Sequence, residues 1–262
     1  MPELKIKELY IHPVKSLRGF SVDSIELDAF GAKYDRRWMV VDDQAMFISQ
    51  REKPVMATIE TSLEDGLLRL KDAGGSIVVE AADGRDYQVQ VWHDRVTAKD
   101  CGDAVAQWLT QRLGQSCRLV YMPDEACRIV DKNYTINAEK VSFADGFPLL
   151  VIGQASLDDL NARMDAPVTM ARFRPNIVVA NSAPFAEDQW STLMHKNVNF
   201  HVVKPCSRCV IPSLDPQTGE RHKTINRVLA GFRRRDNVIY FGQNMLFDGQ
   251  ATIRVGDVLC AK

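Results

Sequence analysis

Two cysteines three positions apart, Cys206 and Cys209, lie in a short basic stretch with the sequence Lys-Pro-Cys-Ser-Arg-Cys at 204–209. Cations beside a cysteine favour the thiolate over the thiol, and the thiolate is the form that attacks electrophiles and binds metals. The pattern therefore predicts either thiol chemistry or a metal site.

Three interpretations of this pair stay open on the residues alone. A structural zinc site needs four ligands, usually in two close pairs. The other four cysteines are scattered singly: Cys101, Cys117, Cys127 and Cys260. A dithiol redox motif normally begins a helix, whereas Val210, Ile211 and Pro212 follow this one. In the third interpretation, one cysteine is the single protein ligand of a soft metal that an organic cofactor holds.

Composition limits the class of protein. The chain has 262 residues, a formal net charge of −1 and 45% hydrophobic residues, as expected for a globular protein of one large or two modest domains. This charge does not favour a nucleic-acid or membrane partner, so anion binding would depend on a local cluster of cations. The sequence has neither an apolar signal-peptide core nor an apolar run near the roughly 20 residues of a membrane span. We therefore expect a cytoplasmic protein with reduced thiols.

Polar motifs recur where predicted strands begin or end. Lys15 and Ser16 follow a His-Pro that ends the first strand, and such a loop suits an anion, although a solvated basic loop is the alternative. Arg36 beside an aspartate indicates, by itself, only a surface ion pair. Asp145-Gly146 predicts a tight turn. The other two motifs are Arg-Pro-Asn at 174–176 and Gly-Gln-Asn at 242–244.

Together with 204–209, these motifs resemble the signature of the MOSC (molybdenum cofactor sulfurase C-terminal) domain. Over nearly its whole length the chain resembles the YcbX-type proteins, which are relatives of the mitochondrial amidoxime-reducing component. The resemblance implies the molybdenum cofactor, Mo-molybdopterin, and makes Cys209 rather than Cys206 the metal ligand. It names Cys209 and Asp145 as catalytic, with Asp145 as a proton donor. The cofactor-binding residues that it implies are Lys15, Ser16, Arg36, Gly146, Phe147, Arg174, Asn176, Lys204, Arg208, Gln243 and Asn244.

The resemblance also implies an activity. It predicts a molybdenum-dependent oxidoreductase that reduces N-hydroxylated compounds (hydroxylamines, amidoximes and N-hydroxylated bases) by oxygen-atom abstraction at the metal, which serves detoxification. Two alternatives remain open: a sulfur carrier with a persulfide on Cys206 or Cys209, and a non-catalytic protein that binds the molybdenum cofactor.

The source of electrons is a separate expectation. Many YcbX-type chains continue into a ferredoxin-like domain, whose cluster needs a Cys-x4-Cys-x2-Cys run. The 262 residues contain no such run. We therefore expect a separate flavin or iron–sulfur reductase as partner, with a small N-hydroxylated molecule as substrate and neither nucleic acid nor a membrane as partner.

Strands dominate the predicted elements, so we predict a β-rich α+β protein. An N-terminal MOSC-type β domain would occupy 1–121 and a MOSC β-barrel with a few helices 122–262, with the cofactor between them. Helices are predicted at 103–113, from a capping-box-like Ser156, and at 224–232. We also predict one antiparallel sheet that serves only as scaffold, with strands at 58–61, 67–71, 77–80 and 87–92 and its last turn at 82–85. Gln50, Arg51 and Arg128 are weaker candidates for anion contacts, and the arginines at 233–235 are expected to be solvated.

Overall fold

The computed structural model describes residues 2–80 and 84–262. In these residues the strands are β1 (Glu3–Ile11), β2 (Phe20–Val22), β3 (Ser24–Asp28), β4 (Gly31–Ala32), β5 (Trp38–Val41), β6 (Glu60–Glu64), β7 (Leu67–Asp72), β8 (Gly75–Val79), β9 (Asp86–Val91), β10 (Asp94–Asp100), β11 (Arg118–Tyr121), β12 (Leu149–Gly153), β13 (Ile177–Ala180), β14 (Thr192–His195), β15 (Val198–Ser207), β16 (Arg234–Arg235), β17 (Val238–Asp248), β18 (Thr252–Arg254) and β19 (Val258–Ala261). The α-helices are α1 (Asp103–Leu113), α2 (Gln154–Ala162) and α3 (Thr224–Arg233). Single 3-10 turns occupy Pro54–Thr58, Met170–Phe173, Ala186–Gln189 and Ile211–Ser213. The predicted β-rich α+β class is confirmed.

Seven strands form a closed barrel in the order β12, β13, β1, β19, β14, β15 and β17, and β17 pairs back with β12. β12 and β13 are parallel, whereas the other neighbours are antiparallel. Leu4 and Ile6 of β1 point into the barrel and are buried, as the two-residue period of a strand requires. An irregularity between Ile6 and Glu8 then breaks the alternation and brings Leu9 into the same core. The first strand of the chain thus lies among strands from its second half. The division near residue 121 stays a prediction.

The strands predicted between residues 58 and 92 belong to two different sheets, so the prediction of one antiparallel sheet is wrong. β6, β7 and β8 form one sheet, and β9 belongs to a second sheet of order β5, β11, β10 and β9. The cause is β10, which sequence analysis did not predict and which forms a hairpin with β9. Thr58 ends a 3-10 turn instead of beginning a strand. The predicted turn at 82–85 lies partly outside the described residues, which omit 81–83.

The three predicted helices are present, although one begins for a different reason. α1 has the predicted bounds, and Gly114 caps it in the left-handed conformation, with φ 63°, as glycine does at helix ends. Ser156 is not an N-cap, because α2 begins at Gln154. The Ser156 hydroxyl donates instead to the buried Glu187 carboxyl at 2.8 Å. In the described residues no helix is both long and apolar enough to cross a bilayer.

Gly242 brings two barrel strands into close contact beside the last predicted motif. It has φ +80°, and a Cβ atom there would lie 2.6 Å from Ile152 Cγ1 and 2.9 Å from the Val151 carbonyl oxygen. Both the positive φ and the absence of space therefore require glycine at this position.

We expect Gly242→Ala to lower the free energy of unfolding by about 1–3 kcal/mol, because the methyl group clashes and the backbone is strained. Denaturant unfolding would measure this change. The matched control is Gly231→Ala in α3, where a Cβ atom meets nothing within 4 Å, and which we expect to stabilise the helix by about 0.5–1 kcal/mol. A Gly242→Ala variant as stable as the wild type would contradict the packing argument.

Candidate functional site

A cavity of about 130 Å³ lies where β1 and β15 end and β12 and β13 begin. All the site residues predicted from the sequence line it except Lys204 and Gln243. The strand ends and loops of both halves of the chain thus converge on one place. The lining also includes residues that were weak candidates or were not predicted: Gln50, Arg51, Phe173, Cys206, Ser207, Ile211 and Pro212.

Lys15 is a buried cation at the wall of this cavity. Its Nζ donates to the Phe143 carbonyl oxygen at 2.8 Å and to Asp145 Oδ1 at 2.6 Å. The ammonium also lies over the ring of Phe47, 5.1 Å from its centre. Burial lowers the pKa of Lys15, although Asp145 opposes this shift. Lys15 is therefore held in place by two acceptors and an aromatic face.

Asp145 is ionised at neutral pH. Loss of water around the carboxyl raises its pKa, but Lys15, Arg51 and Arg36 lower it by more, and the pKa lies well below its usual range. An ionised carboxylate has no proton to donate, so the predicted role of Asp145 as proton donor does not fit its surroundings. Its contact with Lys15 makes it a positioning residue for that ammonium instead.

Arg36 and Arg174 are like charges held against each other by main-chain oxygen atoms. Arg36 Nη2 donates to the Arg174 carbonyl at 3.0 Å, and Arg174 Nη1 donates to the Leu17 carbonyl at 2.6 Å. Burial and the neighbouring Arg36 lower the pKa of Arg174 to about 9. Arg36 also pairs with the buried Asp35 carboxylate, whereas Arg174 has no such carboxylate partner among the described residues.

Three residues of this lining have a left-handed backbone that side chains rarely adopt. The φ angles are 69° at Ser16, 50° at Arg36 and 54° at Arg174. Strained backbone of this kind persists where the surrounding structure fixes it, and it concentrates at binding and catalytic sites. Left-handed residues also occur in turns elsewhere in the chain, but these three fix the loops that carry the cations of the cavity.

Buried donors without partners point into the same region. Arg208 donates from Nε to the Phe241 carbonyl at 2.8 Å and from Nη1 to the Phe173 carbonyl at 2.9 Å. Within residues 2–80 and 84–262, its Nη2 has no hydrogen-bond partner, nor has the buried Nε2 of Gln50. A buried donor left unpaired is costly, so a ligand with acceptor oxygen or nitrogen atoms fits here.

The two cysteines both line the cavity but differ in environment. Cys206 is half-buried, and burial raises its pKa. Cys209 is exposed, and its Sγ accepts from the Ile211 main-chain N–H at 3.5 Å. The Arg51 guanidinium faces Cys209 and Asp145, which together raise the pKa of Arg51 against the opposing effect of burial. Burial therefore disfavours a thiolate at Cys206, whereas Cys209 is open to solvent and faces a guanidinium.

The sequence places Lys204 and Gln243 at the site, whereas the structure does not bring their side chains to the cavity. Gln243 and Asn244 are adjacent in β17, so they face opposite sides, and Gln243 Nε2 donates to Asp188 at 2.7 Å. Register shifts on either side of Lys204 reorient the end of β15. Lys204 consequently points over the Tyr134 ring, 4.6 Å from its centre.

Among the weaker candidates, Arg128 is part of the scaffold. It is buried, donates to the carbonyl oxygens of Ser142 and Ala144 at 2.6 Å each, and pairs with Asp94 at 2.7 Å. It thereby fixes the loop that carries Asp145.

In the arginine run at 233–235, Arg233 is mostly buried and pairs with Asp188, so the expectation of a solvated run is wrong for this residue.

Two further cavities adjoin the first. A second, of about 290 Å³, shares Gln50, Arg174 and Ile211 with it and is also lined by Arg172, whose buried Nη1 has no partner among the described residues. A third, of about 560 Å³, opens on the side of Asp145. Organic ligands usually occupy about 300–1,000 Å³, so an organic cofactor needs the first cavity and one neighbour.

The charges and donors fit an anionic cofactor that carries a thiolate-bound metal. Phosphate oxygen atoms suit guanidinium donors, and a metal already bound through sulfur suits one further thiolate. In the described part of the chain, no three His, Cys, Asp or Glu side chains come together as a metal site. A metal held here would therefore take most of its ligands from the cofactor.

Comparison with known proteins agrees with this arrangement. Residues 3–116 match the MOSC N-terminal beta barrel domain, and residues 138–259 match the MOSC domain. The chain belongs to the MOSC family. It is 32% identical to mitochondrial amidoxime-reducing component 1 of Mus musculus, over 96% of this chain and 80% of the relative. It is 28% identical to the molybdenum cofactor sulfurase of Oryza sativa subsp. japonica, over 92% of this chain and 32% of that protein. The MOSC chain therefore has a function related to the molybdenum cofactor.

Residues that sequence reasoning missed are those without a charged motif. Phe173 and Ile211 line the cavity through ordinary packing positions, and nothing in their types indicates a site. Arg51 carried a signal that was underweighted, because an arginine at the end of a strand pair is a candidate for any nearby anion. Trp92, which lines the third cavity, lay in a region predicted to be scaffold.

The free cations of this MOSC cavity predict stabilisation by simple anions. Protein made without cofactor should gain about 3 °C in Tm when inorganic phosphate exceeds its Kd tenfold, since binding to the folded state alone contributes about 1.4 kcal/mol there. Arg208→Ala should lose most of this gain. Arg69→Ala is the control, because Arg69 is paired with Glu64 on the surface of another sheet. Equal phosphate effects in both variants would show that the effect is not local.

Proposed function

We propose that this protein is a molybdenum-cofactor-dependent reductase of N-hydroxylated compounds, with Cys209 as the only protein ligand to the metal. The observation that carries the proposal is the position of Cys209 in a cavity where, among the described residues, Arg208 keeps a buried donor without a partner and Arg174 has no carboxylate partner. A cytoplasmic location and a separate flavin or iron–sulfur reductase as electron donor belong to the same proposal. The separate reductase is what the family resemblance implies for a sequence of 262 residues without a ferredoxin-type cysteine run.

The electrons for the proposed reduction come from an external donor. An N-hydroxylated compound R–NHOH takes up two electrons and two protons and gives R–NH₂ and water, with cleavage of the N–O bond. When bound, the molybdenum cofactor supplies a centre that exchanges an oxygen atom together with two electrons. The protein supplies the binding groups, the orientation and the protons.

Different side chains of the cavity are proposed to bind different parts of the cofactor. Arg36, Arg174 and Arg208 bind the anionic oxygen atoms of the cofactor, and their main-chain partners fix the direction of each guanidinium. Asn176 and Asn244 add amide groups that both donate and accept. These roles are proposed from cavity geometry and from the family motifs.

Lys15 is the proposed source of one proton. Its ammonium lies at the cavity wall, burial lowers its pKa, and the ionised Asp145 holds its position. A lysine with a lowered pKa transfers a proton more readily than a fully solvated one. This assignment replaces the proton transfer first predicted for Asp145.

A sulfur carrier is the second candidate, because Cys206 lines the same cavity as Cys209 and one relative is named as a sulfurase. The raised pKa of Cys206 argues against a persulfide-forming nucleophile at that position. Metal analysis together with pterin fluorescence, on protein made in a molybdenum-competent host, separates the candidates. Stoichiometric molybdenum and pterin support the reductase, whereas cyanolysable sulfur without molybdenum supports the carrier.

The two cysteines should differ when each is replaced. Cys209→Ala should abolish reduction of N-hydroxylated substrates and lower the bound molybdenum, because the thiolate ligand is lost. Cys206→Ala should retain at least about a third of the activity, since a half-buried neutral thiol only packs at the wall. Turnover with reduced viologen and metal content measure both effects. Equal losses in the two variants would indicate a dithiol or zinc site instead.

The source of electrons gives a further expectation. The purified protein should reduce N-hydroxylated substrates with reduced viologen but not with NADPH alone, because its sequence has one close cysteine pair and no cluster-binding run. Adding a flavin or iron–sulfur reductase should restore turnover with NADPH. Steady turnover by the isolated protein with NADPH as sole reductant would mean that it carries a second redox cofactor.

A further inference from the structure

The third cavity is large and opens directly onto the cavity of Cys209. Its volume is about 560 Å³. The residues that it shares with the first cavity are Asp145, Gly146, Phe147, Cys206, Ser207 and Asn244. The two cavities therefore adjoin along a wall that carries Cys206, and Cys209 lies on the side of the first cavity.

Three aromatic side chains line the third cavity. Tyr134 and Phe147 meet edge to face, with ring centres 5.5 Å apart, and Trp92 also lines the cavity. The Trp92 side chain is one-third exposed: the residue has 36% of its surface accessible. Exposed aromatic faces beside a reactive cavity bind planar molecules by stacking.

The position of Trp92 is strongly fixed. It begins the turn of the β9–β10 hairpin with φ 55°, a left-handed conformation that is a true outlier for a bulky residue. Its ring packs on Phe47, 4.8 Å between centres, and against the Arg51 guanidinium at 5.0 Å and the Lys15 ammonium at 5.6 Å. The strained turn thus places one indole beside the two cations that hold Asp145.

The second and third cavities differ in their polar atoms. The second contains buried donors without partners, on Arg172 and Gln50, as an anionic or heterocyclic cofactor would require. In the described residues of the third cavity, no buried side-chain nitrogen or oxygen atom lacks a partner. The second cavity therefore suits the distal part of the cofactor, and the third is left for the substrate.

The charged side chains around the third cavity carry both signs and are mostly paired. Asp94 pairs with Arg128, and Asp145 pairs with both Lys15 and Arg51. Lys204 and Asp131 also line the cavity, and the Lys204 ammonium lies over the Tyr134 ring at 4.6 Å. Because neither sign dominates, this lining favours an uncharged ligand over an anion or a cation.

We propose that the third cavity is the substrate site and that Trp92 determines specificity there. The site takes uncharged, planar, conjugated N-hydroxylated compounds, such as amidoximes borne on an aromatic ring, in preference to small aliphatic hydroxylamines. The planar part stacks on Trp92, and the N–O group is directed towards the first cavity, which Cys209 lines. This proposal rests on the reductase function proposed above.

The test compares two substrates in two tryptophan variants of the cofactor-loaded protein. Trp92→Ala should lower the ratio of kcat/KM for benzamidoxime to that for N-methylhydroxylamine about tenfold, which is the usual effect of one stacking contact, mainly through KM. Trp92→Phe should recover most of the ratio. Trp108→Ala is the matched control, because Trp108 is also half-buried under an arginine, Arg112, but lies on α1. It should leave the ratio unchanged.

Direct binding separates failure of this inference from failure of the reductase proposal. Benzamidoxime binding without any electron donor, measured by calorimetry, should weaken about tenfold in Trp92→Ala, while molybdenum and pterin contents stay equal to those of the wild type. If turnover occurs but neither the ratio nor the Kd changes, Trp92 does not contact the substrate and the inference is wrong. If no N-hydroxylated compound is reduced but binding still depends on Trp92, the reductase proposal fails and the binding site stands.

Discussion

Main-chain carbonyl oxygen atoms hold most of the cations around the central cavity. Lys15, Arg36, Arg174 and Arg208 each donate to at least one carbonyl, at 2.6–3.0 Å. A carbonyl dipole fixes a cation without cancelling its charge, whereas a carboxylate partner cancels most of it. Lys15 and Arg36 also pair with the carboxylates of Asp145 and Asp35. Among the described residues Arg174 and Arg208 have no such partner, so these two arginines keep a local positive charge at the cavity in a chain whose net charge is −1. Like charges this close repel, and the strained loops at Ser16, Arg36 and Arg174 hold them together despite that repulsion.

The barrel supplies the rigidity that such an arrangement needs. β12 pairs on one side with β13 and on the other with β17, so the sheet has no free edge where the cavity begins. Residues that follow or precede four different strands are thereby kept within hydrogen-bonding reach of each other. In such a site the cofactor performs the chemistry, and the protein directs it by holding the surrounding side chains in precise positions.

Much of the site followed from the sequence because its residues lie at strand ends, where proline, glycine and cations form short recognisable motifs. The motif around Cys209 and the Arg-Pro-Asn run lie where they were expected, on one cavity. Gln243 shows the limit: of two amides adjacent in a strand only one can face a given side, and which one depends on pairing that only the fold determines. Irregular pairing in β15 moves Lys204 away from the first cavity. Trp92 was missed because β10, and with it the hairpin turn that carries Trp92, was not predicted. Local pattern indicates which segments meet, but it does not indicate which side chain turns inward.

The pairing of β1 with β19 places Leu4 opposite Leu259. Strands β2 and β13, which also pair with β1, are made earlier, but the barrel cannot close before β19 has been synthesised. Contacts so distant in sequence form slowly. Lys15 and Ser16 follow β1, so their final positions depend on this late closure. A cofactor bound between these loops and the Cys209 segment would therefore meet a barrel that is either already closed or closing around it.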